Sequence, residues 1–334
     1  MIRRSRALSV RILGMVAAFG LLIAFAPGEA QAAQVSTACR SVGLAVPAGT
    51  TESAVYGGDA AGRYLVGVGF HSGGSDGLLW VDGQPVSINQ GSLSPYIQVQ
   101  FNAVNSRREI IGERMTDETS FHTDAFVYRN GRFTLLAAPS PGESTEALAI
   151  NSRGDVVGDA QGSAGWQPVE WSAARPGTVR VLATPGTGGG FASSIDEDGT
   201  VVGHLTSSSP GVPYVWPAKG TAYALPIPAG SLGGEAVAIR HGLVAGNVFD
   251  PATGSTAVAE WNLRTGSFTM WPSVQGAALS INRWGTIGVA GGDLVHADGR
   301  IVAVTGWVYA VTDRGSAAGT TNDFTGHAVL WLDC

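Results

Sequence analysis

The chain has 334 residues, 20 basic and 26 acidic side chains, a formal charge of −6, 48 glycines and 16 prolines. The acidic excess repels phosphate backbones and argues against a nucleic-acid partner, and the glycine and proline content penalises helices. Many Val, Ile, Thr, Tyr and Trp residues suit short strands joined by tight turns, so the composition predicts an all-β protein.

Residues 1–32 read as a signal peptide rather than fold. Arg3, Arg4, Arg6 and Arg11 make a positive start, an apolar run follows from Leu13 to Ala26, and Ala30-Gln31-Ala32 offers an A-x-A cleavage site. The apolar run is short for a membrane span. Removal of this segment leaves 16 basic against 25 acidic side chains, a charge of about −9, on residues 33–334. The expectation is a secreted, extracellular chain with no membrane attachment after cleavage.

The next signal is a repeat. Its clearest copy runs Ala147-Leu-Ala-Ile-Asn-Ser-Arg-Gly-Asp-Val-Val-Gly158, then Gln167-Pro-Val-Glu-Trp171, then Thr178-Val-Arg-Val-Leu182: four short strands with a tight first turn at Asn151 and Gly154. A second-strand glycine recurs as Gly67, Gly112, Gly158, Gly203, Gly246, Gly288 and Gly319. A third-strand aromatic recurs as Trp80, Tyr128, Trp171, Trp216, Trp261 and Trp331, with His296 in the sixth copy. The spacing is 42 to 48 residues through the fifth copy and about 35 around the sixth. Four strands at this period predict a single-domain, seven-bladed β-propeller over residues 33–334. The glycine is expected where successive blades press together, and the aromatic between adjacent blades.

The chain ends predict how the ring closes. The seventh copy stops at Leu332-Asp333-Cys334 without a fourth strand, and Cys39-Arg-Ser-Val-Gly-Leu-Ala-Val-Pro-Ala-Gly49 is similar to fourth strands such as Tyr223-Ala-Leu-Pro-Ile-Pro-Ala-Gly230. The N-terminal strand should complete the last blade and remove a pair of sheet edges. Cys39 and Cys334 then fall where other blades carry a tight turn, which predicts a disulfide in its place.

The units Ala147–Gly158 and His327-Ala-Val-Leu-Trp331, with Asp124-Ala-Phe-Val-Tyr128 as an echo, resemble the extracellular HAF-type repeats of exported bacterial proteins. That resemblance implies export and a repetitive β fold, and no particular chemistry.

No nucleophile elbow, zinc-protease motif or phosphate loop is present, and the sequence points to no cofactor. The six histidines are spread over six copies, so no metal site is expected. Asp196-Glu197-Asp198-Gly199 reads as a solvated turn. Among the carboxylates Glu113, Asp117, Glu118, Glu143, Glu146 and Asp250, no pair can be assigned a glycosidase role. The loops between second and third strands are richer, placing aromatics beside polar groups at Phe70 and His71, Phe121 and His122, Trp166, Phe249 and Asp250, and Asp323 and Phe324. Such a face suits sugar rings and protein hot spots. The expected function is therefore non-enzymatic recognition of an extracellular glycan or protein, with a polysaccharide hydrolase or lyase and a structural role in an assembly as alternatives. N-terminal sequencing of the exported protein is expected to begin at Ala33; an intact Met1 would remove the signal-peptide reading.

Overall fold

The computed structural model describes residues 39–117, 119–162, 165–186, 188–207, 210–250, 254–321 and 326–334. The predicted signal peptide lies outside them, as do Glu118, Asp323 and Phe324. The described residues carry strands throughout and one 3-10 turn, Gly91–Leu93. Hydrogen-bonded pairing sorts the strands into seven four-stranded antiparallel meanders among the described residues, two of them joined by a single parallel bridge between Ser75 and Gln98. We call these units blades 1 to 7 in chain order.

The strands that begin the blades are Glu52–Gly58, Gln98–Val104, Ser144–Ile150, Gly190–Ile195, Gly233–Arg240, Ala278–Ile281 and Trp307–Val311. Each contains a register shift, as between Ala147 and Ala149 or Val308 and Ala310. Here the structure corrects the reason for the repeated glycine. A Cβ on Gly158 would come within 3.0 Å of the Glu146 carbonyl oxygen, one residue before the bulge in its own blade. Gly67, Gly112, Gly203, Gly246 and Gly319 meet the matching carbonyls of Ala54, Gln100, Phe191, Glu235 and Trp307. The bulge pushes a carbonyl against the facing strand, and only a residue without Cβ admits it. Gly288 alone follows the predicted cause in part, since its Cβ would meet Val308 of blade 7 as well as Ser280.

The aromatic marker sits where it was expected. Trp80, Trp171, Trp216 and Trp261 are buried, and each indole N–H donates to a carbonyl of the preceding blade: Ala45 at 2.7 Å, Ala137 at 2.7 Å, Ala183 at 2.8 Å and Pro226 at 2.6 Å. Each acceptor lies two residues beyond an outermost strand, namely Arg40–Gly43, Arg132–Leu135, Arg180–Val181 or Tyr223–Ala224. The same ring therefore fills the space between blades and anchors the tail of its neighbour. Apolar clusters follow this plan. One joins Ile111, Ala125 and Val127 of blade 2 to Val156, Val169 and Trp171 of blade 3. Another joins Leu44, Ala318 and Ala328 of blade 7 to Val55, Leu65 and Trp80 of blade 1.

Arg40–Gly43 pairs with Ala328–Leu332 in antiparallel register, Arg40 opposite Leu332 and Gly43 opposite Val329. Cys39 and Cys334 are bonded, with Cα atoms 4.7 Å apart. Other blades use tight hairpins at this place, such as Asp82-Gly83 and Asn130-Gly131, both residues of each having positive φ. Ser53 of blade 1 receives the Ala328 N–H on Oγ at 2.9 Å and the Thr320 hydroxyl on its carbonyl at 3.2 Å, so blade 7 is bonded directly to blade 1.

The first turns of the blades hold one another. Asn151 Oδ1 accepts the N–H groups of Arg153 and Asp155 at 3.0 Å, closing its own turn. The Nδ2 groups of Asn105 and Asn282 reach carbonyls of the next turn, Asn151 and Thr312, at 3.0 Å. The acidic run in blade 4 is less solvated than predicted. Asp196 is buried and accepts the N–H groups of His241 at 2.9 Å and Gly242 at 2.7 Å, while Asp198 is exposed.

Gly158→Ala is expected to destabilise by about 2–3 kcal/mol, since the clashing atom is backbone. Gly43→Ala, with nothing within 4 Å of its Cβ, should stay within about 0.5 kcal/mol. Replacing both cysteines by serine should cost about 2–5 kcal/mol. Denaturant midpoints of the three variants check all three figures.

Candidate functional site

The face carrying the loops between second and third strands is irregular, and its most connected part lies on blades 1 to 3. In blade 2 the loop after Ile110–Met115 is organised by Asp117, whose carboxylate accepts the Thr119 N–H at 2.9 Å and the Ser120 N–H at 3.0 Å. The Ser120 side chain and these N–H groups hold its pKa down at about 2. The turn then puts Phe121 at φ 53°, a conformation that costs a bulky residue free energy, and the residue is 48% exposed.

The next residue turns inward. His122 Nε2 lies 3.2 Å from Asp124 Oδ1, and His122 Nδ1 lies 3.1 Å from Ser144 Oγ at the start of blade 3. Ser144 Oγ also accepts the Thr123 N–H at 3.3 Å. Because the Asp124 carboxylate only accepts, the neutral ring carries its proton on Nε2, which leaves Nδ1 to accept the Ser144 hydroxyl proton. Asp124 Oδ2 is held by Arg114 through Nε and Nη2, both at 3.0 Å. Arg114 also donates through Nη1 to the Leu93 carbonyl and so ties the long loop between blades 1 and 2 to the site. The buried Leu93 roots that loop in the core.

Blade 1 repeats part of this pattern. His71 Nε2 faces Asp76 Oδ2 at 3.4 Å, and the Tyr96 hydroxyl donates to Asp76 Oδ1 at 3.3 Å. Burial, then the Asp76 charge, raises the Tyr96 pKa. His71 Nδ1 accepts the Gly73 N–H at 3.1 Å, where His122 has a hydroxyl. Phe70 is half-buried beside it. Trp166 of blade 3 belongs to a row of rings: its centroid is 5.8 Å from Phe191, which stacks on His204 at 4.9 Å. Phe249 and Asp250 end the second strand of blade 5 and are both partly exposed. Of the residues singled out in the sequence, Phe70 and His71 lie at the second-to-third strand loop of blade 1, Phe121 and His122 at that of blade 2, and Trp166 in the ring row of blades 3 and 4. The sequence reading missed Arg114, Asp124, Ser144, Phe191 and His204, whose partners come from neighbouring strands or blades.

The inner strands bring further titratable groups together. Asp159 is fully buried, and burial holds its carboxyl well above the usual range, against the Ala192 N–H that Oδ1 accepts at 2.9 Å. Asn247 makes the same bond to the Ala278 N–H at 2.8 Å, which assigns this position the structural task of satisfying a backbone donor in the next blade. Tyr56, edge-on to Tyr309 at 5.4 Å, is pushed up to about 12 by burial and then by Glu113. Among the described residues no group of three or more His, Cys, Asp or Glu side chains is arranged to hold a metal ion.

Solved structures share this architecture. Oligogalacturonate lyase from Vibrio parahaemolyticus superposes with a TM-score of 0.58 at 10% identity, over 89% of this chain and 98% of that one. The β-propeller domain of the Trilobed protease from Pyrococcus furiosus gives 0.55 at 10% identity, over 84% and 96%. A prolyl endopeptidase gives 0.55 at 10% identity over 82% of this chain, which spans only 47% of that enzyme. The fold is that of a β-propeller. At this identity the likeness extends to the fold alone. No family model and no curated protein matches the chain.

His204 gives a pH test of the ring row. Burial lowers its pKa from the ordinary 6.5 to about 4. The unfolded chain therefore binds the proton more readily, and folding stability falls as pH drops from 6.5 towards 4. Urea melts across this range should show less of that loss in His204→Phe; an unchanged slope would place His204 in water.

Proposed function

We propose that the chain is a secreted β-propeller, seven blades closed into a ring, that recognises an extracellular glycan through the loop face of blades 1 to 3. The observation that carries this reading is the setting of Phe121. A half-exposed aromatic ring stands in a left-handed turn beside an ordered polar row of His122, Asp124 and Arg114. Strain of that kind, retained in an organised loop, belongs with binding sites more often than with neutral surface. An aromatic face covers the C–H surface of a sugar ring, while the fixed donors and acceptors meet its hydroxyls. The charge of residues 33–334 supports a neutral or cationic ligand rather than a polyanion. A protein partner uses the same kind of surface and is the outcome to be separated from it.

A glycan array with the purified secreted chain, alongside a pull-down from culture fluid, makes that separation. Binding should weaken about tenfold or more in Phe121→Ala, equivalent to roughly 1.4 kcal/mol, and Phe249→Ala on blade 5 should change it by less than about twofold. Wild-type affinity in Phe121→Ala would move the site elsewhere. Capture of a protein with no glycan signal would replace the ligand class.

A further inference from the structure

We propose that Ser144, His122 and Asp124 form an acyl-ester hydrolase site that removes ester-linked acyl groups from the glycan bound at this face. The proposal rests on the reading of that face as a glycan site. It goes beyond binding because the arrangement supplies a nucleophile, a base and an orienting carboxylate in hydrogen-bonded sequence. Ser144 Oγ and His122 Nδ1 are 3.1 Å apart, and His122 Nε2 and Asp124 Oδ1 are 3.2 Å apart. Asp124 at Nε2 leaves Nδ1 to accept the Ser144 hydroxyl proton, and Arg114 on Asp124 Oδ2 leaves Oδ1 turned to the ring. Relative to the commoner triad the two ring nitrogens exchange places, a change that leaves the proton path intact.

Blade 1 serves as an internal comparison. It has the same imidazole and carboxylate in His71 and Asp76, and there Nδ1 accepts the Gly73 N–H. A histidine that only shapes the loop needs no more than such a donor. In blade 2 the donor is a hydroxyl brought from the next blade, on a serine that is partly exposed.

The chemistry closes with water alone. Ser144 Oγ attacks the acyl carbon while its proton passes to His122 Nδ1, and Asp124 accepts the Nε2–H of the imidazolium. Collapse breaks the bond between the acyl carbon and the glycan oxygen, which leaves as a hydroxyl with the proton from Nδ1. Water then gives a proton to Nδ1 and attacks the acyl-serine. Ser144 Oγ departs, taking that proton back, and a carboxylic acid is released. Sharing Asp124 with Arg114 reduces the help the carboxylate can give the imidazolium, which suits esters and disfavours the poorer amide leaving group.

The test uses the intact secreted chain with p-nitrophenyl acetate, an acetylated oligosaccharide and a fluorophosphonate probe. Steady turnover of the esters is expected, with Ser144 as the labelled residue in peptide mass spectra. Ser144→Ala and His122→Gln should each lower turnover about a hundredfold or more. Labelling needs no variant and so does not depend on a mutant's folding. Absence of labelling at Ser144, or wild-type turnover in folded Ser144→Ala, overturns the hydrolase. Glycan affinity measured on the same samples reports separately on the binding reading: retained affinity without labelling sinks only the hydrolase, and loss of both signals in the wild type sinks both.

Discussion

A four-stranded meander has two apolar faces and can cover neither of them alone, and the whole molecule follows from that constraint. Each blade must be sandwiched, so six of the seven carry a Trp or Tyr at the same position to fill the gap to the neighbour, and His296 stands there in blade 6. The indole does more than occupy volume. A tryptophan buried without a partner for its N–H would lose free energy, and the nearest carbonyl lies in the chain leaving the preceding blade. The four bonds from Trp80, Trp171, Trp216 and Trp261 thereby convert apolar stacking, which has no direction, into fixed register between blades.

The parts of this design that repeat were legible in the sequence, because a repeated steric demand leaves a repeated residue. The aromatic position and the strand shared between the chain ends were read directly. The glycine was recognised, but its cause was misassigned: a bulge is a backbone event and leaves no mark in the residue that bulges. In those places the chain carries Tyr56, Asn102, Leu148, Ser193, Val237, Leu279 and Tyr309, which share no single residue type. The candidate site was legible only where an aromatic stood next to a polar residue in the chain. Ser144 is separated from His122 by the third and fourth strands of blade 2 and a blade boundary, and a lone serine opening a strand has no signature. Phe191 and His204 were hidden for the same reason, since ring stacking between Trp166 and blade 4 depends on how two blades face each other.

The two faces of the propeller divide the work. On the side of the first turns, side chains are spent on holding the blades together. Arg240 of blade 5 bridges Glu197 of blade 4 at 2.8 Å and Asp313 of blade 7 at 3.2 Å. On the loop side the connections differ from blade to blade in length and residue type. Rigidity on one side permits variety on the other, because a loop can be strained, as at Phe121, only if the strands beneath it do not yield.

The bond between Cys39 and Cys334 joins residues 295 positions apart. Covalently the described chain is therefore a circle, and it no longer has a first and a last blade in any mechanical sense. One peptide bond cut in an exposed hairpin, such as that of Asn130 and Gly131, would turn the circle into a line and release no fragment, and the strand partners on either side of the cut would keep their neighbours. A second cut would be needed before any blade could leave. The disulfide thus protects chain continuity as well as the closing strand pair, and it does so at every hairpin around the molecule at once.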